Sequence, residues 1–111
     1  MSRPSAPPLL TEALPQLADE LQALLKKRGE FELAAGVPDL RIVDRCRCGD
    51  DFCATFYTQP KPERTYPPDH VCIDLDPEKG MLILDVVDGR IACVEVLNRE
   101  EIRSALQAIE T

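Results

Sequence analysis

Apolar residues first recur at helical spacing after Pro15. Leu17, Leu21, Leu24 and Leu25 follow one another at i, i+4, i+7 and i+8, with Arg28 at i+11. One stripe at that period makes an amphipathic helix, and a proline suits its first turn because the N–H it lacks would have no partner there. Lys26, Lys27 and Arg28 close the helix where cations complement its dipole, and Gly29 is a natural stop. A second short helix is expected over 30–35, ended by Gly36 and Pro38. The period then changes. Residues 40–48 and 52–59 are β-rich runs around Gly49-Asp50-Asp51, which predicts a hairpin. Val71, Ile73 and Leu75 alternate with Cys72, Asp74 and Asp76, the period-two pattern of a half-buried strand. Runs 81–87 and 90–97 flank Asp88-Gly89, a dipeptide suited to the positive φ angles of a two-residue hairpin turn. Asn98 with Glu101 predicts a helix N-cap and its box partner. The last helix then carries Ile102, Leu106 and Ile109 on one stripe.

Strands that follow one another through short turns pair antiparallel, since parallel pairs need long crossovers. The expected fold is therefore α+β: an antiparallel sheet of about five strands, a meander, flanked by an N-terminal and a C-terminal helix. Residues 1–10, with three prolines, read as a disordered leader, and residues 11–111 as a single domain.

Charge narrows the partners. The net charge is −7, and residues 1–29 hold four Lys/Arg against three acids, so the negative excess lies entirely on the remainder of the chain. Such a surface repels phosphate backbones and attracts cations, which excludes nucleic acid and favours a basic protein partner. No run of 18 apolar residues is present to span a membrane as a helix. The N-terminal segment has no apolar stretch of the secretory type, so a cytoplasmic location is expected. In that reducing compartment five cysteines, an odd number, do not form a closed disulfide framework.

Candidate chemistry concentrates in Cys46-Arg47-Cys48-Gly49-Asp50-Asp51-Phe52-Cys53, with His70-Val71-Cys72 downstream. Residues i and i+2 of a strand share a face, so Cys46 and Cys48 point the same way. A two- or four-residue loop sets Cys53 beside them; a three-residue loop sends it to the other side. Reduced, metal-free thiols packed as small hydrophobes are the favoured state, because one C-x-C plus a distant ligand departs from the usual C-x₂₋₄-C spacing of zinc sites. Zinc is the alternative, held by Cys46, Cys48, Cys53 and Cys72, with Cys72 ahead of His70. A third reading is a thiol enzyme, with Arg45 and Arg47 lowering a thiol pKa and His70 as base. Adjacent strand residues face opposite ways, which aims those arginines away from Cys46 and Cys48.

No P-loop, G-x-G-x-x-G, G-x-S-x-G or H-E-x-x-H motif is present, and no catalytic residues are assigned. Asp74, Asp76 and Asp85 read as a solvated sheet face, and His70 as a solvated or hydrogen-bonded ring. The loop 59–70 is stiffened by Pro60, Pro62, Pro67 and Pro68 and offers Lys61, Arg64 and Tyr66. Stiff loops lose little entropy on binding, which makes Arg64, Tyr66, Asp74 and Asp76 the candidate partner surface.

The strings RIVDRCRCGDDFCATFYT and DVVDGRIACVEVLNREEI resemble small bacterial cytoplasmic proteins with a C-x-C-G-x-x-x-C hairpin and no assigned activity. The second string is also similar to short β-hairpin domains ending in G-x-I-x-x-x-E-V-L, here Gly89, Ile91, Glu95, Val96 and Leu97. The resemblance implies a bacterial cytoplasmic protein and transfers no active site. The residues together point to a non-catalytic acidic interaction module.

Overall fold

A computed structural model describes residues 7–46, 48–60 and 66–109. The chain folds as helices α1 (Leu10–Ala13), α2 (Pro15–Lys27) and α3 (Phe31–Gly36), a 3₁₀ turn (Val37–Asp39), strands β1 (Asp44–Arg45), β2 (Phe56–Tyr57), β3 (Val71–Asp74), β4 (Met81–Val87) and β5 (Arg90–Leu97), and helix α4 (Glu100–Ile109). The α+β architecture expected from the pattern is the one that forms. All strand pairs are antiparallel, in the order β1-β2-β5-β4-β3. β3, β4 and β5 run as a meander. The first hairpin docks through β2 on β5, which leaves β3 at the far edge.

The β4–β5 hairpin is the centre of the sheet. Asp88 and Gly89 both have positive φ, 53° and 73°, as a two-residue turn matched to strand twist requires. Next to the turn Val86 pairs with Ile91, yet Asp85 pairs with Cys93, so Ala92 is an extra residue on β5, a bulge. The carbonyl of Ala92 accepts from the N–H groups of Thr58 and Gln59, which fixes where β2 leaves the sheet. Past the bulge, Leu82 faces Val96 and Leu84 faces Val94, and this row continues to Phe56 on β2 and Ile73 on β3.

That row is the sheet's half of the core. Phe56, Leu82, Leu84, Val94 and Val96 are fully buried, packed with Leu10, Leu21 and Leu25 of α1 and α2, Val37, and Ile102 and Leu106 of α4. Each such side chain contributes about 1.5–3 kcal/mol on leaving water. The helices thus cover one face. Leu10, at the end of the expected leader, is wholly buried, and the Ile42 N–H donates to the carbonyl of Pro8. Residues 7–10 therefore belong to the packed body, while residues 1–6 lie outside the described residues.

Two details depart from the pattern reading. Among the described residues the first hairpin keeps two residue pairs of regular ladder instead of two long strands. The last helix is entered through Arg99, whose carbonyl accepts from Ile102 and Arg103, and Asn98 (φ 61°) makes the left-handed bend before it. Arg99 is also a staple. Its guanidinium meets both oxygens of Glu20 on α2 at 2.8 and 3.1 Å, Glu101 at 2.7 Å and the carbonyl of Lys79 at 3.1 Å. The two-pronged fit to Glu20 uses the fork geometry that lysine lacks. Glu20 first, then Glu101, holds the Arg99 pKa above its ordinary value despite burial, and Arg99 in turn holds Glu101 below the usual carboxylate range.

Two predictions follow from this packing. Gly80 has φ 67°, and a Cβ there would lie 2.5 Å from the Leu97 carbonyl oxygen and 2.9 Å from the Arg99 side chain. Gly80→Ala is expected to destabilise by roughly 2–4 kcal/mol in urea unfolding, well beyond Gly89→Ala, whose Cβ meets nothing within 4 Å. Glu101 has a depressed folded-state pKa, so its contribution is present above the ordinary carboxylate range and is lost as pH falls through the folded value. Arg99→Gln is expected to lower stability at neutral pH by roughly 1–3 kcal/mol and to return the Glu101 carboxyl, followed by NMR titration, to its ordinary pKa.

Candidate metal centre

The first hairpin brings its three thiols together. Asp44 pairs with Tyr57 and Arg45 with Phe56, and the Cys46 N–H donates to the Thr55 carbonyl at 2.9 Å. Cys53, on the returning arm, comes to the same side as Cys46 and Cys48, the outcome expected of an even loop length. The Sγ atoms of Cys46, Cys48 and Cys53 lie within 4.8 Å of one another, and all three are free thiols. The returning half of the hairpin is anchored: Cys53 bridges to Leu97, the Ala54 N–H donates to Val96, and the Asn98 N–H donates to Phe52. The loop tip is exposed, with Phe52 about half in solvent.

Interactions among the thiols show in their acidities. A backbone hydrogen bond from Asp50 pulls Cys48 down, but hydrogen bonding with Cys46 and Cys53 outweighs it and pushes Cys48 up to about 11. Burial pushes Cys53 up, and hydrogen bonds from Thr55, Cys48 and Cys46 overcome it, so its pKa falls below the ordinary value. The two shifts run in opposite directions because each thiol takes the other as a hydrogen-bond partner.

A second group lies on the helix-free face of the sheet. The row one step from the core row runs Asp44, Tyr57, Cys93, Asp85, Cys72, one residue from each strand, with every adjacent pair in register. His70 stands two residues before Cys72. Its Nε2 is 2.7 Å from Asp85 Oδ1 and 3.6 Å from Cys72 Sγ, and Cys72 donates to Asp85 Oδ1 at 3.3 Å. Tyr66 stacks on the His70 ring, centroids 4.4 Å apart.

Asp85 is 4% exposed, which corrects the expectation of a solvated face for this residue; Asp74 and Asp76 are exposed as expected. Burial pushes Asp85 up, but hydrogen bonds from Glu95, His70 and Cys72 outweigh it and hold the carboxyl below its ordinary value. The converse falls on its partners. Glu95, hydrogen-bonded to Asp85 and part-buried beside its charge, is pushed up to about 7. Cys72 is raised by its hydrogen bond to Asp85, and Cys93 and Tyr66 are raised chiefly by burial. The geometry opposes a thiol nucleophile at Cys72. A relay needs the two ring nitrogens to face nucleophile and orienting carboxylate separately, whereas here one nitrogen, Nε2, meets both Cys72 and Asp85.

The four expected sulfur ligands divide. Cys46, Cys48 and Cys53 converge, while Cys72 sits on β3, at the opposite edge of the sheet from β1, and groups with His70 and Asp85 instead. At about 4.8 Å per strand that edge is too far to complete the hairpin site. Of the expected partner surface, Asp74 and Asp76 lie exposed at the β3 edge, the Asp76 N–H donates to Asp74 at 3.0 Å, and Tyr66 is engaged with His70. Arg64 lies outside the described residues. Sequence reading missed Asp85 and Glu95 as members of a site. Alternation marked Asp85 as outward-facing, Glu95 stood only in the resembling string, and the loop that brings Tyr66 and His70 against that face leaves no periodic signal.

No protein-family model, curated protein or solved structure matches this chain. Among the described residues no helix is long and apolar enough to cross a membrane.

Burial separates the thiols in a way that labelling reads directly. Four of the five cysteines are exposed or part-exposed, and Cys93 is buried on the central strand. In native, metal-free protein a thiol reagent is expected to label four cysteines, with Cys93 reacting only on unfolding. Mass mapping checks this. Labelling of Cys93 at the rate of Cys72 would contradict the packing of the helix-free face.

Proposed function

We propose that the protein is a zinc-binding interaction module, with the metal held at the hairpin by Cys46, Cys48 and Cys53. The carrying observation is the convergence of three free thiols within 4.8 Å. In a tetrahedral zinc–thiolate site the sulfurs stand about 3.8 Å apart, so sub-ångström to ångström shifts of flexible side chains close the gap. Soft thiolates select zinc over magnesium or calcium. Three protein ligands leave one coordination position to water or to a group from outside the described residues.

A metal would give this hairpin what its backbone lacks. Two pairs of ladder are too few to hold a hairpin by themselves. A cation bound by residues on both arms joins them, and binding free energy becomes folding free energy for the loop. The loop tip would then present Phe52 and the exposed Asp50 and Asp51 as a firm surface. The acidic excess of the chain supports a basic protein as the partner of that surface, attracted through its field.

Native mass spectrometry on protein made in zinc-supplemented medium tests the metal. Cys46→Ser/Cys48→Ser/Cys53→Ser is expected to carry one zinc fewer than the wild type. It should also melt at least roughly 4 °C lower, the shift that about 1 kcal/mol makes in a domain near this size. Retention of the wild-type zinc content by the triple variant overturns the reading.

A further inference from the structure

We propose that His70, Cys72 and Asp85 form a second divalent-cation site on the helix-free face, separate from the hairpin and suited to zinc or a metal of similar softness. Three ligand atoms of different chemistry already meet there: His70 Nε2, Cys72 Sγ and Asp85 Oδ1, at mutual distances of 2.7, 3.3 and 3.6 Å. Around tetrahedral zinc a nitrogen and an oxygen lie about 3.4 Å apart and either lies about 3.6 Å from sulfur. The nitrogen–oxygen pair has to open by about 0.7 Å and the oxygen–sulfur pair by about 0.3 Å, while the nitrogen–sulfur distance already fits.

The arrangement is built rather than coincidental on an open surface. Cys72 and Asp85 are a register pair, so their side chains stand side by side on one face, and His70 shares that face by its two-residue offset. Asp85 is buried, and the imidazole is held on its flat side by Tyr66. Glu95 shares a hydrogen bond with Asp85 and gives the carboxylate an outer partner. A ligating carboxylate with such an outer partner is the usual way a metal site is oriented.

The hydrogen bonds state what the cation would replace. Cys72 donates to Asp85 Oδ1, and His70 Nε2 meets the same oxygen. The thiol and the ring nitrogen thus converge on one carboxylate oxygen, in the space where one cation can accept electron pairs from all three atoms. Binding releases the thiol proton to solvent and needs the imidazole in its Nδ1–H form, so that a hydrogen on Nε2 moves through solvent to Nδ1 in the neutral ring or is released as well from the imidazolium. Nitrogen, sulfur and oxygen together make a borderline donor set, which fits zinc and disfavours magnesium and calcium.

Zinc titration by calorimetry and cobalt(II) titration by absorption test the site in the full chain carrying Cys46→Ser/Cys48→Ser/Cys53→Ser, where the hairpin no longer contributes. One equivalent of zinc is expected, and cobalt is expected to give a thiolate charge-transfer band in the near ultraviolet. Adding Cys72→Ser should abolish the band and weaken zinc binding by more than about tenfold. Asp85→Asn should do the same. If that buried substitution fails to fold, Cys72→Ser decides, since its side chain is on the surface. A folded triple variant that binds no zinc, or binds it equally with and without Cys72, overturns the proposal. The two sites fail separately: loss of the hairpin site leaves wild type and triple variant with the same single zinc, whereas loss of this one leaves the wild type with one and the triple variant with none.

Discussion

The structure depends on the pairing of β4 with β5 and on the single bulge within it. At Ala92 the register steps by one, so that Asp85 faces Cys93 and Leu84 faces Val94. A strand shows alternate residues to opposite faces, so a one-residue slip exchanges the faces of everything beyond it. With no bulge, the register that leaves the Asp88-Gly89 turn would pair Leu84 with Cys93 and set a buried thiol into the apolar row. With it, the row through Phe56, Val94, Leu84 and Ile73 is wholly apolar and receives the helices. The neighbouring row gathers Tyr57, Cys93, Asp85 and Cys72 on the other face.

This division of faces explains why the chemistry lies where it does. The core face has no titratable group along its central row, so the hydrophobic contribution there is undiluted. Among the described residues no helix packs on the opposite face. It is covered in part by the end of the loop from β2 to β3, which brings Tyr66 and His70 down on Asp85. Partial cover is the condition under which carboxylates, thiols and an imidazole perturb one another strongly: full exposure would screen them, and full burial would neutralise them. The hairpin cysteines meet the same condition by another route, at a loop tip held on one arm by β5.

Arg99 does for the helices what the bulge does for the sheet. It joins α2, the β3–β4 turn and the start of α4 in one set of charged hydrogen bonds. Its position just before α4 hides it from pattern reading. Nothing in the spacing of Glu20 and Arg99, 79 residues apart, announces that they meet. Gly80 is tied to the same place, because the turn passes against Leu97 and Arg99 too closely for a side chain.

Local rules were enough to specify the main elements, α2, β3, β4, β5 and α4. The period of the leucines in α2, the Asp88-Gly89 turn and the alternation of β3 each rest on interactions between residues a few positions apart, and the α+β class follows from their order. The hairpin thiols were half legible: i and i+2 put Cys46 with Cys48, but the side taken by Cys53 depended on a loop length that composition does not encode. Docking of β2 on β5 rather than beside β3, the bulge at Ala92, and the separation of Cys72 from the other thiols were decided only in the tertiary structure. Each is a choice between packings whose local hydrogen bonding is equally satisfied. What distinguishes them is the burial of whole faces and the meeting of residues far apart in the chain, and a single sequence carries no local signal for either.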